Sequence, residues 1–137
     1  MKGIKQHLSN RKHTPTSVYS FQFRGRYSYS NALTGTNTPY GLSHADDMIY
    51  LFRTPAFFPD FPRGSPEAEM AQLLVKFFVD FASHESVDKV GTCYGEKCDV
   101  MTFSNTKDPY FPVSKRLVPG LDEKMYSFWQ SFFGDSA

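Results

Sequence analysis

Side chains alternate along residues 16–23 (TSVYSFQF): Tyr19, Phe21 and Phe23 fall on one side of an extended chain, and Val18, Ser20 and Gln22 on the other. A period of two in aromatic and β-branched residues predicts a strand. Over residues 65–84 (SPEAEMAQLLVKFFVDFASH) the period lengthens to that of a helix. Met70, Leu73, Leu74, Phe77, Phe78 and Phe81 form one wide apolar face that has to pack against something large. The start of this helix is marked by Ser65 as N-cap and Pro66 in the first helical position. Glu67 and Glu69 follow in the first turn, where the helix dipole favours negative charge.

Other segments are read by the same rules. Residues 2–12 are polar with scattered apolar positions, a helix candidate ended by Pro15. Residues 25–40, rich in Ser, Asn, Thr, Gly and Pro, predict a long loop. Residues 45–52 (ADDMIYLF) predict a short helix, with Asp46 and Asp47 as charges in its first turn or as partners of nearby arginines. The prolines and glycine of residues 53–64 (RTPAFFPDFPRG) exclude regular structure, although Phe57, Phe58 and Phe61 need burial. Residues 98–105 (CDVMTFSN) predict a second strand. The closing helix (LDEKMYSFWQSFF) has Asp122 as its cap and Met125, Phe128, Trp129, Phe132 and Phe133 as its buried stripe. The chain is thus mixed α/β, with too few strands to build the sheet that its helices must cover. Residues 1–137 are therefore expected to be a piece of a larger domain, incomplete on its own.

At 137 residues the chain has room for one domain and not for two ordinary ones. Its 14 Phe, 8 Tyr and one Trp imply a sizeable core, since each buried ring removes about 150–250 Å² from water. The net charge of +1 and the lack of a basic stripe give no reason to expect nucleic acid or an anionic membrane as partner. No apolar run is long enough for a membrane segment, and the polar, basic start (MKGIKQHLSNRKHTP) has no signal-peptide core. Cys93 and Cys98 lie in CYGEKC, a spacing that Gly95 allows to close into a disulfide loop and that equally suits two free thiols. A zinc site would need two further ligands, with His84 as the one nearby candidate. The apolar face of residues 65–84 reads as core rather than as a cofactor box, and no cofactor is implied.

Chemistry is concentrated in residues 38–55 (TPYGLSHADDMIYLFRTP), where a glycine-led turn delivers one histidine, His44, just before a short helix. Such a setting suits a proton carrier, which must be held by a rigid frame and still reach a substrate. Taken alone, His44 reads as a surface or capping residue ahead of a proton carrier. His7, His13 and His84 read as solvated. A local triad of Ser43, His44 and Asp46 or Asp47 is disfavoured, because adjacent side chains do not readily place a hydroxyl and a carboxylate on opposite ring nitrogens.

Two segments together, SVYSFQFRGRYSYSN and YGLSHADDMIYLFRTPAFF, resemble the C-terminal region of the carboxylesterase/cholinesterase branch of the α/β-hydrolases, most closely insect esterases of the juvenile-hormone-esterase type. The family's strand of the form V-Y-x-(Y/F)-x-F is matched at residues 17–23. Its turn of the form G-(V/L/A)-x-H-(G/A)-(D/E)-(D/E) and the apolar helix after it are matched at residues 41–52. Phe78 to Ala82 resemble the F-x-x-F-A of its long C-terminal helix, and DVMTFSN and DEKMYSFW resemble its closing segment. The resemblance runs over residues 15 to 133.

It implies the C-terminal portion of an α/β-hydrolase fold, the last sheet strands with their covering helices, and ester hydrolysis by a serine, a histidine and an acid. His44 occupies the position of the catalytic base. The chain has no G-x-S-x-G elbow and no oxyanion-hole glycines, so the resemblance puts serine and acid upstream of Met1. The implied partners are a small-molecule carboxylic ester and the remainder of the hydrolase domain. The implied location is extracellular. Two rival readings are a non-catalytic, cholinesterase-like binding or adhesion module and a truncated product inactive alone. The aromatic loop after the turn is expected to pack under the long C-terminal helix rather than to line an acyl or alcohol pocket.

Overall fold

A computed structural model describes residues 16–83, 93–94, 97–108 and 112–120, together with residues 124, 127, 128, 131 and 132. The elements are β1 (Val18–Gln22), α1 (Tyr29–Thr34), α2 (Met48–Leu51), α3 (Pro66–Ala82), β2 (Cys93–Tyr94), β3 (Lys97–Asn105) and β4 (Val113–Pro119). The architecture is mixed α/β, around a sheet with β3 at its centre. β1 lies parallel to β3, Val18 opposite Val100 and Gln22 opposite Ser104. β4 lies antiparallel to β3, from Asn105 opposite Val113 to Asp99 opposite Pro119. A parallel pair cannot be joined by a tight turn, and all three helices are carried in the connection from β1 to β3.

The pleat explains the core. In the β1–β3 register Tyr19 and Phe21 stand opposite Met101 and Phe103, so one face of both strands is aromatic and apolar. α3 covers that face with Met70, Leu74 and Phe77. Phe77 meets the ring of Phe103 edge-on, centroids 5.3 Å apart, and Tyr19 stands edge-on to Phe78 at 5.5 Å. The alternate residues Val18, Cys98 and Val100 form a small second cluster with Cys93. Ser65 caps α3 as its sequence predicts, its hydroxyl accepting from Ala68 N–H at 3.2 Å.

Several expectations need correction. The segment expected to be a loop throughout residues 25–40 contains α1. No residue of α1 is buried, so it has no apolar period to detect; its ends hold it instead, Ser28 as N-cap and Gly35 at φ 66° as left-handed C-cap. The short helix starts at Met48, not at residue 45. On α3, Phe81 is 54% exposed, and the buried stripe is Met70, Leu74 and Phe77, flanked by half-buried Leu73 and Phe78. β4 went unread because it is an outer strand of Ser, Lys and Arg whose Leu117 and Val118 are exposed. Residues 124, 127, 128, 131 and 132 are helical, but Phe128 and Phe132 are 50% and 67% exposed rather than buried. Their rings meet each other at 4.9 Å. Met125, Trp129, Phe133, the helix candidate at residues 2–12, and His7, His13 and His84 lie outside the described residues.

Of the two pairings left open for the cysteines, the structure has the disulfide. Cys93 and Cys98 are bonded, their Cα atoms 4.0 Å apart across the β2–β3 pair. Both are buried, and Cys93 N–H also donates to Thr16 O at 2.8 Å, so the bridged pair holds the approach to β1. Closing so short a loop is worth about 2 kcal/mol in the chain-entropy account. Alkylation without reductant is expected to add no mass, and after reduction to add a label at both cysteines; labelling before reduction would refute the bridge.

Candidate active site

The chain enters the site through Gly41, at φ 91°, and residues 44–47 form a turn that hands over to α2. Asp46 N–H donates to Ser43 O at 3.2 Å, and Met48 N–H to Ala45 O at 2.9 Å. Ala45 adopts φ 68°, which among the described residues no other non-glycine side chain does. The left-handed region is disfavoured for a residue with a Cβ, so the surroundings must enforce it.

They do so through two carboxylates. Asp46 is buried, 3% exposed. Its Oδ1 accepts from Tyr29 N–H and from Ser43 Oγ, each at 2.9 Å. Its Oδ2 accepts from Ser43 N–H at 2.9 Å and from Ser28 Oγ at 2.8 Å. Ser28 acts twice, donating to Asp46 while accepting from Ser30 N–H at 3.2 Å as the cap of α1. Asp47 accepts from Tyr19 OH at 2.7 Å, which fastens the turn to β1. Burial, and then that bond to Asp47, push the Tyr19 hydroxyl up to about 12.

The expected roles of both aspartates are therefore corrected. Neither has an arginine partner among these bonds, and Asp47, at the N-cap position, makes no side-chain capping bond. No local triad exists either: Ser43 Oγ is committed to Asp46, and Asp47 to Tyr19. His44 itself is exposed at the apex of the turn. Among the described residues no carboxylate, and no other group, is hydrogen-bonded to its imidazole.

Beside the turn opens a cleft of about 520 Å³, whose wall includes Gly41, Leu42 and Asp46 from the turn segment, and Tyr50, Phe57 and Phe58. His44 is not part of that wall. The loop rings do not pack only under α3, as expected. Phe58 joins the core below α3, yet Phe57 and Phe58 both face the cleft and pack edge-on against Tyr29 at 6.1 and 5.1 Å. Phe61 stacks on Tyr50 at 5.3 Å. The Tyr50 hydroxyl is buried against Gly25, and its pKa is raised, first by burial and then by Glu67 and Asp46, with the Gly25 backbone opposing the shift. No group of three or more His, Cys, Asp or Glu that could hold a metal occurs among the described residues. The structure thus presents an exposed imidazole on a held turn, and among the described residues brings no nucleophile or acid to it. Sequence reasoning missed Ser28 as a member of this site, since its 18-residue separation from Asp46 leaves no spacing signal.

Comparison with known proteins bears on what this turn belongs to. Residues 2–129 match the carboxylesterase family. The chain belongs to that family. Juvenile hormone esterase of Tribolium castaneum is 32% identical over 80 residues, a match that takes in 56% of the chain and 13% of that relative. The chain therefore aligns with a small part of a much longer protein. No solved structure matches it.

Gly25 is the tightest point near the carboxylesterase turn. A methyl there would overlap Tyr50 OH and would touch Glu67 Cγ and Phe23 Cε1, each at 3.1 Å. Tyr50 and Phe23 are both core residues, so the side chains cannot swing aside freely. Gly25→Ala in a complete hydrolase domain carrying this segment is expected to cost about 1–3 kcal/mol by overpacking. Denaturant midpoints of wild type and variant check it, and equal midpoints would show that Tyr50 moves at no cost.

Proposed function

We propose that this chain forms the C-terminal part of a serine carboxylic-ester hydrolase of the α/β-hydrolase fold and contributes its general base, His44. The observation that carries the reading is the imidazole of His44, exposed on a turn whose flanking residues are fixed by Asp46 and Asp47. Membership of the carboxylesterase family supports acyl transfer as the reaction. In that chemistry Nε2 of His44 accepts the proton of the serine hydroxyl as it attacks the ester carbonyl. It then protonates the departing alcohol, and in the second half it deprotonates the water that releases the acid. Nδ1–H is oriented by a carboxylate; serine, acid and oxyanion donors come from sequence outside these 137 residues. The substrate class is a small-molecule carboxylic ester, in keeping with the name of the Tribolium relative.

The same reading makes the protein secreted. A buried disulfide between Cys93 and Cys98 suits an oxidising compartment, and no helix among the described residues is long and apolar enough to cross a membrane. The test is labelling of the complete domain by a fluorophosphonate together with turnover of p-nitrophenyl acetate. One labelled serine and a hydrolytic rate are expected. A domain that neither labels nor turns over would be a cholinesterase-like binding module instead.

A further inference from the structure

From the bonds around the turn we infer that Asp46 is the positioning residue of the site: its buried carboxylate fixes the backbone on which His44 is presented. The inference rests on the reading of His44 as the base and adds a residue to it. Asp46 cannot act on substrate directly, being 3% exposed with both oxygens occupied. What it holds is specific. Ser43, the residue before His44, is gripped at both N–H and Oγ. Ala45, the residue after it, is bent to φ 68°, and its carbonyl is taken by Met48 N–H at 2.9 Å. The other end of the grip is the start of α1, through Ser28 Oγ and Tyr29 N–H. The turn is therefore hung from one buried anion, and the path from that anion to the imidazole is one residue long. Asp47 is a second, less buried anchor on Tyr19, and it does not reach Ser43.

Without the carboxylate, Tyr29 N–H, Ser43 N–H and two hydroxyls lose their acceptor at a buried to half-buried position beside the cleft. The turn then relaxes toward a conformation without the left-handed Ala45, and the imidazole leaves the line between serine and acid. Misplacement of a catalytic group by about 1 Å costs about 100-fold in rate. Substrate contacts do not change, so the loss falls on kcat and not on KM.

The experiment uses a complete hydrolase domain carrying this segment, with rates expressed per mole of folded monomer isolated by size exclusion and checked by circular dichroism, so that misfolded material does not count. Asp46→Asn keeps the volume but offers an NH₂ where a donor now points. It is expected to lower kcat per folded molecule by about 10- to 100-fold with KM within about threefold of wild type. In a His44→Gln background Asp46→Asn is expected to cause no further loss, because it acts only through the imidazole. A kcat per folded molecule within about threefold of wild type in Asp46→Asn, or full additivity with His44→Gln, overturns the inference while leaving His44 as base. Full activity in His44→Gln overturns the reading on which it rests. If Asp46→Asn fails to accumulate folded, Ser43→Ala takes its place. It removes one hydroxyl from the same carboxylate and is expected to lower kcat about three- to tenfold; no change there also overturns the inference.

Discussion

Replacing His44 by Ala or Gln is expected to abolish ester hydrolysis by a complete carboxylesterase domain carrying this segment, with substrate binding left largely intact. With His44 as the proposed base, its removal leaves the serine hydroxyl protonated at the moment of attack and leaves the departing alcohol without a proton donor. The residual rate then comes only from oxyanion stabilisation and binding, and the loss for such residues is about 10⁴-fold or more in kcat. His44→Gln separates chemistry from packing, because the amide fills part of the ring's volume and cannot accept a proton at neutral pH. Little else should change, since the imidazole is exposed and makes no hydrogen bond among the described residues. An unaltered melting temperature with turnover lost is therefore the expected pair. A variant within about tenfold of wild type in kcat would remove His44 from the mechanism.

How much of this was legible in the sequence differs from element to element. β1 and α3 announce themselves because their buried faces are large and regular, Tyr19 and Phe21 on the one and Met70, Leu74 and Phe77 on the other. The cap of α3 is equally plain, a serine before a proline. α1 is invisible to periodicity because only Tyr29 of its residues packs on the core, and no side chain is fully buried; it exists through its caps and its link to Asp46. β4 is invisible because its strand character comes from pairing with β3, from Asn105 opposite Val113 onward, and not from a face of its own. The turn of His44 was marked by its glycine and by resemblance. The function of the two aspartates was not, since an Asp-Asp pair before an apolar run looks like the start of a helix in either case. Only the fold shows that Ser28 arrives beside Asp46 and Tyr19 beside Asp47.

Expressed alone, the 137-residue chain is expected neither to hydrolyse esters nor to unfold cooperatively. The catalytic half rests on the proposed function: on that reading the chain holds the histidine but neither the serine nucleophile nor the oxyanion donors, whose electrostatic stabilisation supplies most of the rate. The stability half follows from the surface. Val75, Val79 and Phe81 on α3 are 43%, 55% and 54% exposed. Leu117 and Val118 on β4, and Phe128 and Phe132 beyond it, are exposed as well. These side chains are about half exposed, so each forgoes roughly half of the 1.5–3 kcal/mol of full burial, and the set together is comparable to the whole net stability of a typical domain, about 5–15 kcal/mol. β1 adds a second liability: its strand pairs with β3 alone among the described residues, and no described strand takes up its other row of N–H and C=O groups. Apolar patches beside an open edge lead to association. Thermal circular dichroism is expected to show a broad, shallow transition, size-exclusion an early elution, and p-nitrophenyl acetate no turnover above buffer. On the proposed reading, a complete hydrolase domain in one polypeptide should reverse all three outcomes, because the exposed apolar side chains of α3 and β4 then gain partners. A monomer with one sharp melt would show instead that the core of Phe23, Phe77 and Phe103 is sufficient by itself.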